Sequence, residues 1–266
     1  MAEKIHVRRM TEADIDGAVD TIQLAFKDDP YSKWIYNEES KFSPERNRIS
    51  LSLRCRWGIK HGLFYVAYPA SDPSRVVGTA MWLAPKPADA PESWSLYLSR
   101  WHLWLAQLCM NAVYGRGGLN VARYWTWKAS QAAAQAECWS DARGYYFCNI
   151  VTVLPGWQGK GVGRKLMEVV LERADREGVG AYLESSLREP NVRIYERLGF
   201  RLVREMECKE GGEGIMLFCM IRPPKGAEEG KRVERNEVGN VRVDDREAEE
   251  TNKEGTNDRA DSPMEN

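Results

Sequence analysis

The sequence has no long apolar run and no apolar leader. No segment of its 266 residues reaches about 18 uncharged apolar residues, the length that a membrane-spanning helix requires. The first nine residues carry charges where a secretory signal is apolar. We therefore expect an intracellular, cytoplasmic protein without a membrane partner.

The sequence also lacks the patterns of a metal centre or a disulfide framework. Its six cysteines form no C-x-x-C pair, and none of its three histidines lies near a cysteine in the sequence. We predict reduced cysteines and no metal site. Cys148 falls in a predicted strand, where it is expected to pack as a small apolar side chain.

No excess of one charge sign points to a nucleic-acid partner. The net charge is −1, and hydrophobic residues make up 43% of the chain, enough for a core. From Lys225 onward there are thirteen acids and eight bases, so the remainder is mildly basic. This is far from the basic stripe of a nucleic-acid-binding protein, but it suits a ligand that carries phosphates.

What the sequence does contain is a glycine-rich turn between a predicted strand and a predicted helix. Residues 153–166 read Val-Leu-Pro-Gly-Trp-Gln-Gly-Lys-Gly-Val-Gly-Arg-Lys-Leu. A helix that begins in such a turn directs unpaired backbone N–H groups, and the positive end of its dipole, toward the turn. The pattern predicts a binding site for an anionic, phosphate-rich ligand.

Three phosphate-binding patterns can be compared with this turn. The mononucleotide pattern G-x-x-x-x-G-K-[ST] fails because valine follows Gly161 where lysine is required. The dinucleotide pattern G-x-G-x-x-G, counted from Gly159, fails because Arg164 stands in the third glycine position. The pattern Q/R-x-x-G-x-G/A is met by Gln158, Gly161 and Gly163. Taken alone, the turn is also compatible with a plain strand–helix connection.

A second block begins thirty residues after Gly161. It contains Asn191, then Tyr195, then the pair Gly199-Phe200, and a predicted strand lies between it and the turn. The order and spacing of the two blocks resemble those of the GNAT N-acetyltransferases, most closely the puromycin N-acetyltransferase-like branch common in fungi. The resemblance is sharp over residues 145–206 and looser over residues 4–83.

The resemblance implies an α/β (α+β) GNAT fold, with a central mixed, mostly antiparallel sheet of six to seven strands flanked by helices. Residues 1–222 would form the acetyltransferase domain, with residues 85–143 as an α-helical insertion between the third and fourth strands. Residues 223–266 are charged, poor in aromatics and unpatterned, and are predicted to be a disordered tail.

Periodicity and turn signals predict the individual elements. The first helix follows Thr11 and is expected to end at Asp29-Pro30, and the second begins with Ser43 as cap and Pro44 at its first position. Strands are predicted at 4–9, 63–68, 75–83, 144–154, 180–186, 200–208 and 214–222. Further helices are predicted at 93–113, 118–138, 160–177 and 190–198.

The insertion holds six of the ten tryptophans. Two interpretations are open: these side chains pack the insertion onto the sheet, or some of them line a pocket for the acceptor. The six are Trp94, Trp101, Trp104, Trp125, Trp127 and Trp139.

The resemblance implies acetyl-CoA as co-substrate. Main-chain N–H groups of the turn would bind its diphosphate, and the end of the central strand would pair with its pantetheine arm, where the fourth and fifth strands separate. The implied cofactor-binding residues are Val151, Thr152, Val153, Gln158, Gly159, Lys160, Gly161, Val162, Gly163, Arg164, Asn191 and Tyr195. For the Lys160 and Arg164 side chains a solvated role is the alternative, and for Asn191 a helix cap.

Two residues are implied as catalytic. Tyr195 is the candidate general acid for the departing thiolate, with a purely packing and hydrogen-bonding role as the alternative. Glu184 lies on the predicted fifth strand, where a charged residue needs a reason, and it is the candidate base or amine-binding group. Asp28, Asp29, Glu38 and Glu39 lie near the first helices. Two interpretations are open for them: attraction of a cationic acceptor, and the favoured one, solvated loop acids.

The expected function is acetyl transfer from acetyl-CoA to a primary amine of a small molecule, with detoxification as one setting, by direct attack in a ternary complex. One alternative is a protein lysine or N-terminal acetyltransferase. An alternative of another class is a non-catalytic acyl-CoA-binding sensor. The sequence does not identify the amine or the oligomeric state.

Overall fold

The computed structural model describes residues 3–87 and 93–226. They form one seven-stranded sheet with helices on both faces. The strands are β1 (Ile5–Arg9), β2 (Leu63–Pro69), β3 (Gly78–Leu83), β4 (Tyr146–Val153), β5 (Ala181–Ser185), β6 (Arg201–Glu210) and β7 (Glu213–Arg222). The α-helices are α1 (Ile15–Ala25), α2 (Pro30–Ile35), α3 (Pro44–His61), α4 (Trp94–Tyr114), α5 (Val121–Cys138), α6 (Val162–Glu177) and α7 (Asn191–Glu196).

The sheet is mixed and mostly antiparallel, as predicted. Its strand order is β1-β2-β3-β4-β5-β7-β6, so β7 lies between β5 and β6. Only the β4–β5 pair among the described strands is parallel. The expected helical insertion is present as α4 and α5, between β3 and β4.

Helix α6 covers one face of the sheet and places the glycine-rich turn. Its apolar residues recur at helical spacing and pack against the core of β1 to β5. Gly78 on β3 permits this close approach, because a Cβ there would lie 2.9 Å from Val162 and 3.0 Å from Leu166. At the other end, Gly178 in the left-handed region terminates the helix. The start of α6 is therefore held firmly beside the end of β4.

The opposite face is covered in two parts. Helices α1 and α3 pack over β2, β3 and β4, whereas α2 and α5 pack over β5, β7 and β6. Of the six insertion tryptophans, Trp127 and Trp139 pack against this second part of the core. Trp94, Trp101, Trp104 and Trp125 remain largely exposed.

The structure revises one expectation about the chain and leaves another untested. The predicted end of the first helix at Asp29-Pro30 is wrong: α1 ends at Ala25, and Asp29-Pro30 begins α2. The Asp29 side chain caps α2 by accepting from the N–H groups of Tyr31 and Ser32. The predicted disordered tail lies, from residue 227 onward, outside the described residues, and its boundary at residue 222 stays a prediction.

Candidate active site

The turn after β4 contains two glycines in the left-handed region. Gly159 has φ 73° and Gly161 has φ 80°, and Gly161 immediately precedes α6. Residues with a side chain rarely adopt such angles, so the backbone path favours glycine at both positions, of which Gly161 belongs to the sequence pattern. A Cβ added at either position would meet no atom within 4 Å, so the outer surface of the turn is open.

Six consecutive backbone N–H groups of this turn are free. Within the described residues, none of the N–H groups from Gly159 through Arg164 donates a hydrogen bond, whereas the next one, at Lys165, donates to the Gly161 carbonyl at 3.1 Å. Free N–H groups at a helix start attract anions through direct donation and the helix dipole. The residues predicted to bind a diphosphate therefore fit such a group through their main chain.

Basic side chains lie around the turn in different ways. The Lys160 ammonium lies 4.8 Å from the centre of the Trp157 ring, and the Arg75 guanidinium lies 5.6 Å from the same ring. Arg164 instead pairs with Glu168 at 2.8 Å on the helix surface. Lys160 and Arg75 add positive charge beside the turn, and Arg164 offers its main-chain N–H. Arg75 is far away in the sequence and was not predicted.

The edge of β4 next to the turn is unpaired. The β4–β5 ladder ends at the pair Cys148–Leu183, although β4 continues to Val153. Asn149 forms a β-bulge opposite β3, which bends a strand locally. The predicted separation of the fourth and fifth strands is therefore present in the structure.

Backbone direction along this edge follows from one hydrogen bond. The Leu154 N–H donates to the Val77 carbonyl on the β3 side at 3.0 Å. Because successive residues of a strand direct their N–H groups to opposite sides, the N–H groups of Val151 and Val153 point to the open edge. Thr152, also predicted to bind the cofactor, has a buried side chain whose hydroxyl has no partner among the described residues.

Gln158 connects the strand to the turn. Its side-chain amide donates to the Val153 carbonyl at 3.3 Å. This bond fixes the turn relative to the open edge, so the Gln158 side chain contributes to the shape of the site rather than pointing away from it.

A small cleft opens where β4 and β5 separate, and it brings both candidate catalytic residues together. Its lining includes Tyr195, Asn191, Glu184, Asp29 and Cys148. None of the six insertion tryptophans belongs to this lining among the described residues. Tyr195 packs against the core on the α6 face of the sheet. Tyr182 belongs to the core on the α5 face. Glu184 follows Tyr182 by two residues on β5, so it points to the same α5 face. The cleft therefore has one candidate group toward each face of the sheet.

The Tyr195 side chain lies between the core and the cleft. Its ring meets Phe200 edge to face, with 6.1 Å between centroids, and no hydrogen bond to the hydroxyl exists within the described residues. Burial raises the pKa of Tyr195 well above its usual value, and the nearby Cys148 and Asp29 raise it further. The phenol is therefore protonated at neutral pH and available as a donor toward the cleft.

Glu184 is held by two hydrogen bonds and contacted by a third side chain. Gln131 donates to its Oε2 at 2.8 Å, the Tyr182 hydroxyl donates to its Oε1 at 2.9 Å, and Gln135 approaches Oε1 at 3.5 Å. Burial raises the pKa of Glu184, and the hydrogen bonds from Gln131 and Tyr182 oppose that rise. A carboxylate with a raised pKa that is still held in a fixed orientation suits a general base.

Helix α5 of the insertion contributes the polar residues around Glu184, which the sequence reading missed. Lys128 donates to the Gln131 side-chain oxygen at 2.8 Å, and Gln131 is buried. Lys128, Gln131 and Gln135 recur at helical spacing on an otherwise mostly apolar helix. That stripe was visible in the sequence, but its partner on β5 was not.

Asp29 is not the solvated loop acid that was expected. It is buried, caps α2, and accepts a hydrogen bond from the Ser186 hydroxyl next to β5. Asn191 donates from its side-chain nitrogen to the Ser185 hydroxyl at 3.1 Å and does not cap α7. These bonds fix the segment between β5 and α7. Tyr195 lies on α7, so its position is fixed as well.

Two expected absences concern metals and membranes. Among residues 3–87 and 93–226, no group of three or more His, Cys, Asp or Glu side chains is arranged to hold a metal ion. In the same part of the chain, no helix combines the length and apolarity that crossing a bilayer needs. Cys148 is buried as predicted.

Sequence comparisons agree with this geometry. A family model described as an acetyltransferase (GNAT) domain matches residues 120–202. Two uncharacterized N-acetyltransferases of Schizosaccharomyces pombe are similar to the chain. One is 40% identical over 68 residues, which are 26% of this chain but only 27% of that protein. The other is 25% identical over 233 residues, which cover 84% of this chain and 94% of that protein.

Structural comparison shows the fold. A crystal structure from Corynebacterium glutamicum, described as a histone acetyltransferase and related acetyltransferase, matches with a TM-score of 0.52 at 20% identity. The match covers 84% of this chain and 97% of that one. The predicted fold, a mixed seven-stranded sheet of the acetyltransferase type with flanking helices, is confirmed.

Proposed function

Because the chain carries an acetyltransferase domain of the GNAT family and is an acyltransferase, we propose that it acetylates a primary amine of a small molecule. The donor is acetyl-CoA, and the amine attacks it directly in a ternary complex. One observation carries the proposal: six free N–H groups lead into the open edge of β4, beside a cleft that reaches Tyr195 and Glu184.

The chain holds acetyl-CoA mainly through its backbone. The N–H groups from Gly159 to Arg164 bind the diphosphate, and Lys160 and Arg75 add positive charge. The open edge of β4 pairs with the pantetheine arm, as an extra strand pairs with a sheet edge. An N–H at Val151 or Val153 polarises the thioester carbonyl, in the manner of an oxyanion hole.

Glu184 acts on the amine. An amine at the α5 face of the cleft arrives as an ammonium ion and must lose a proton before it attacks. Glu184 attracts the cation and accepts that proton, directly or through a water molecule, because burial makes it a stronger base than a solvated carboxylate.

Tyr195 serves the departing sulfur. Its pKa is raised by burial, which by itself makes proton donation to a solvated thiolate unfavourable. Burial also raises the pKa of the Cys148 thiol, which lies in the same cleft. A thiolate formed there is a correspondingly stronger base, so donation from Tyr195 remains feasible.

The insertion favours a small acceptor over a protein. Gln131 and Gln135 of α5 contact Glu184. Helix α5 therefore narrows the cleft on the side of Glu184, where the amine must bind. A lysine side chain of a folded protein or an N-terminal peptide needs an open groove at that place.

Replacing Glu184 with glutamine is expected to remove the acidic limb of the pH–rate profile. The base works when deprotonated, so turnover of the native protein falls as the pH falls through its raised pKa. Glutamine has no such titration. Measuring kcat/KM from pH 5 to 9 tests this, and a variant that retains the native acidic limb contradicts the assignment of Glu184.

A matched pair on α5 tests how Glu184 is held. Gln131→Leu removes the 2.8 Å hydrogen bond, whereas Gln135→Leu removes a contact of 3.5 Å, beyond good hydrogen-bond distance. Because the bond stabilises the charged carboxylate, its loss raises the pKa of Glu184 and moves the acidic limb to higher pH. We expect the acidic limb to move further in Gln131→Leu than in Gln135→Leu. The same limb in both variants would show that the Gln131 hydrogen bond does not set the pKa of Glu184.

The direct test is a screen for CoA release with acetyl-CoA and candidate acceptors. Polyamines, aminoglycosides, aryl amines, amino acids and glucosamine represent small amines, and histone peptides represent proteins. The proposal expects turnover with at least one small amine above the background hydrolysis. Turnover with peptides alone favours the protein acetyltransferase, and tight acetyl-CoA binding with no turnover favours the sensor.

A further inference from the structure

Helix α4 packs on α3 with one face and is apolar on the opposite face. Its inner face packs antiparallel on α3, as shown by hydrogen bonds from Arg46 to Asn111 and from Trp57 to Ser99. Its outer face carries an apolar row at three- and four-residue spacing that we name the aromatic stripe: Trp94, Tyr97, Leu98, Trp101, Trp104 and Leu105. The apolar face of a helix normally packs against another apolar surface.

The aromatic stripe is widely exposed. The exposed fractions are 78% for Trp94, 60% for Leu98, 51% for Leu105 and 48% for both Trp101 and Trp104. Successive rings touch along the helix, with centroids 5.9, 6.3 and 5.3 Å apart from Trp94 through Tyr97 and Trp101 to Trp104. A contiguous apolar ridge of this kind marks an interaction surface rather than scattered surface residues.

The charges on α4 and on the neighbouring helix α3 are mostly positive. Helix α4 contains no acidic residue, and α3 contains five bases and one acid, Glu45. At about 100° per residue, Arg54 and Lys60 fall on either side of the α3 face that meets α4. Both are exposed. The apolar stripe is therefore flanked by positive charge, which complements an anionic surface.

We propose that the aromatic stripe docks on the surface of an anionic phospholipid bilayer. Helix α4 lies in the plane of the interface, with its rings among the lipid headgroups and acyl chain ends and with Arg54 and Lys60 toward anionic headgroups. Tryptophan and tyrosine favour this zone because their rings are apolar and their N–H and O–H groups need acceptors.

The indole N–H groups distinguish a bilayer from a second copy of the chain. Within the described residues, those of Trp94, Trp101 and Trp104 donate no hydrogen bond. An identical stripe offers them one side-chain acceptor, the Tyr97 hydroxyl oxygen, whereas a lipid surface offers many phosphate and ester oxygens.

This surface contact differs from what the sequence excluded. The expectation of no membrane partner rested on the absence of a spanning segment, and the structure agrees that no described helix could span a bilayer. Docking in the interface plane needs only one exposed apolar face. The inference does not depend on the proposed acetyl transfer.

Co-sedimentation of the full chain with vesicles tests the proposal. We expect binding to vesicles of phosphatidylcholine with phosphatidylserine, weaker binding to pure phosphatidylcholine, and weaker binding at high salt. The double variant Trp101→Ser/Trp104→Ser is expected to lower partitioning at least about tenfold, because two apolar rings no longer leave water. Trp125→Ser removes a similarly exposed tryptophan from α5, outside the stripe, and should bind like the native chain.

Retained far-UV circular dichroism and acetyl-CoA affinity in the double variant show that the fold is intact. Three results would overturn the proposal. The native chain fails to sediment with anionic vesicles, or the double variant binds as well as the native chain. Alternatively, the native chain forms dimers in analytical ultracentrifugation that the double variant lacks, which assigns the stripe to a second copy.

Discussion

The Gly161→Asp variant is expected to bind acetyl-CoA at least about 100-fold more weakly than the native protein. Gly161 lies in the middle of six free N–H groups. A carboxylate at this position would compete for those donors and repel the diphosphate. Aspartate tolerates a left-handed backbone better than most residues, and an acid is favourable at a helix start. The left-handed backbone at Gly161 makes a side chain there cost about 1 kcal/mol of stability, which the helix dipole partly offsets, so the loss of affinity is expected to be the larger effect.

A matched variant separates the position of the charge from its sign. Gly156→Asp introduces the same carboxylate before the array of free N–H groups, at a glycine that is not in the left-handed region and has open space around it. We expect it to change the affinity by less than about threefold. Calorimetric titration with acetyl-CoA measures both, and equal affinity of folded Gly161→Asp and native protein would refute the assignment of the turn.

The Tyr195→Phe variant is expected to lower kcat about 100-fold while acetyl-CoA affinity stays the same, within the usual range for a general acid. The substitution removes only the hydroxyl. The ring keeps its contact with Phe200, and no hydrogen bond between the hydroxyl and the described part of the protein is lost. The effect on folding should therefore be small, and the effect on turnover reports proton donation to the departing sulfur.

Tyr65→Phe provides the control for that variant. Tyr65 is a half-buried tyrosine on β2 that packs against the same core as Tyr195 but does not line the cleft. Removing the Tyr65 hydroxyl should leave kcat unchanged. Stopped-flow measurement of CoA release gives kcat for both variants, and native turnover in Tyr195→Phe would remove this residue from the mechanism.

The local parts of the site could be predicted from the sequence because they depend on neighbouring residues. A glycine-rich turn followed by a helix leaves free N–H groups whatever packs around it, and the second block around Asn191 and Tyr195 separated this turn from a plain strand–helix connection. The short helix with Asn191 and Tyr195 likewise follows from its own spacing. These elements appear in the structure where the sequence placed them.

The parts that the sequence did not reveal depend on contacts between distant segments. Gln131 meets Glu184 across 53 positions, and Asp29 meets Ser186 across 157. Asp29-Pro30 was interpreted as a helix end because the pair stops a preceding helix, but the same pair can cap and begin the next one. Which of the two happens depends on whether the chain turns toward β5, and tertiary packing decides that.

The fate of the tryptophans shows the same limit. Composition indicated that the insertion is rich in aromatics, and both interpretations placed them inside the protein. Trp139 does pack against Tyr145, Phe147 and Tyr182. Trp101 and Trp104 face outward, because α4 uses its opposite face to contact α3. Periodicity alone does not tell which of two apolar faces is covered.

A crystal structure of the protein with acetyl-CoA tests the central claim most directly. The account predicts diphosphate oxygens within hydrogen-bond distance of several N–H groups between Gly159 and Arg164, with the thioester between the open edge of β4 and Tyr195. Acetyl-CoA bound at another place, with those N–H groups facing only solvent, would contradict it.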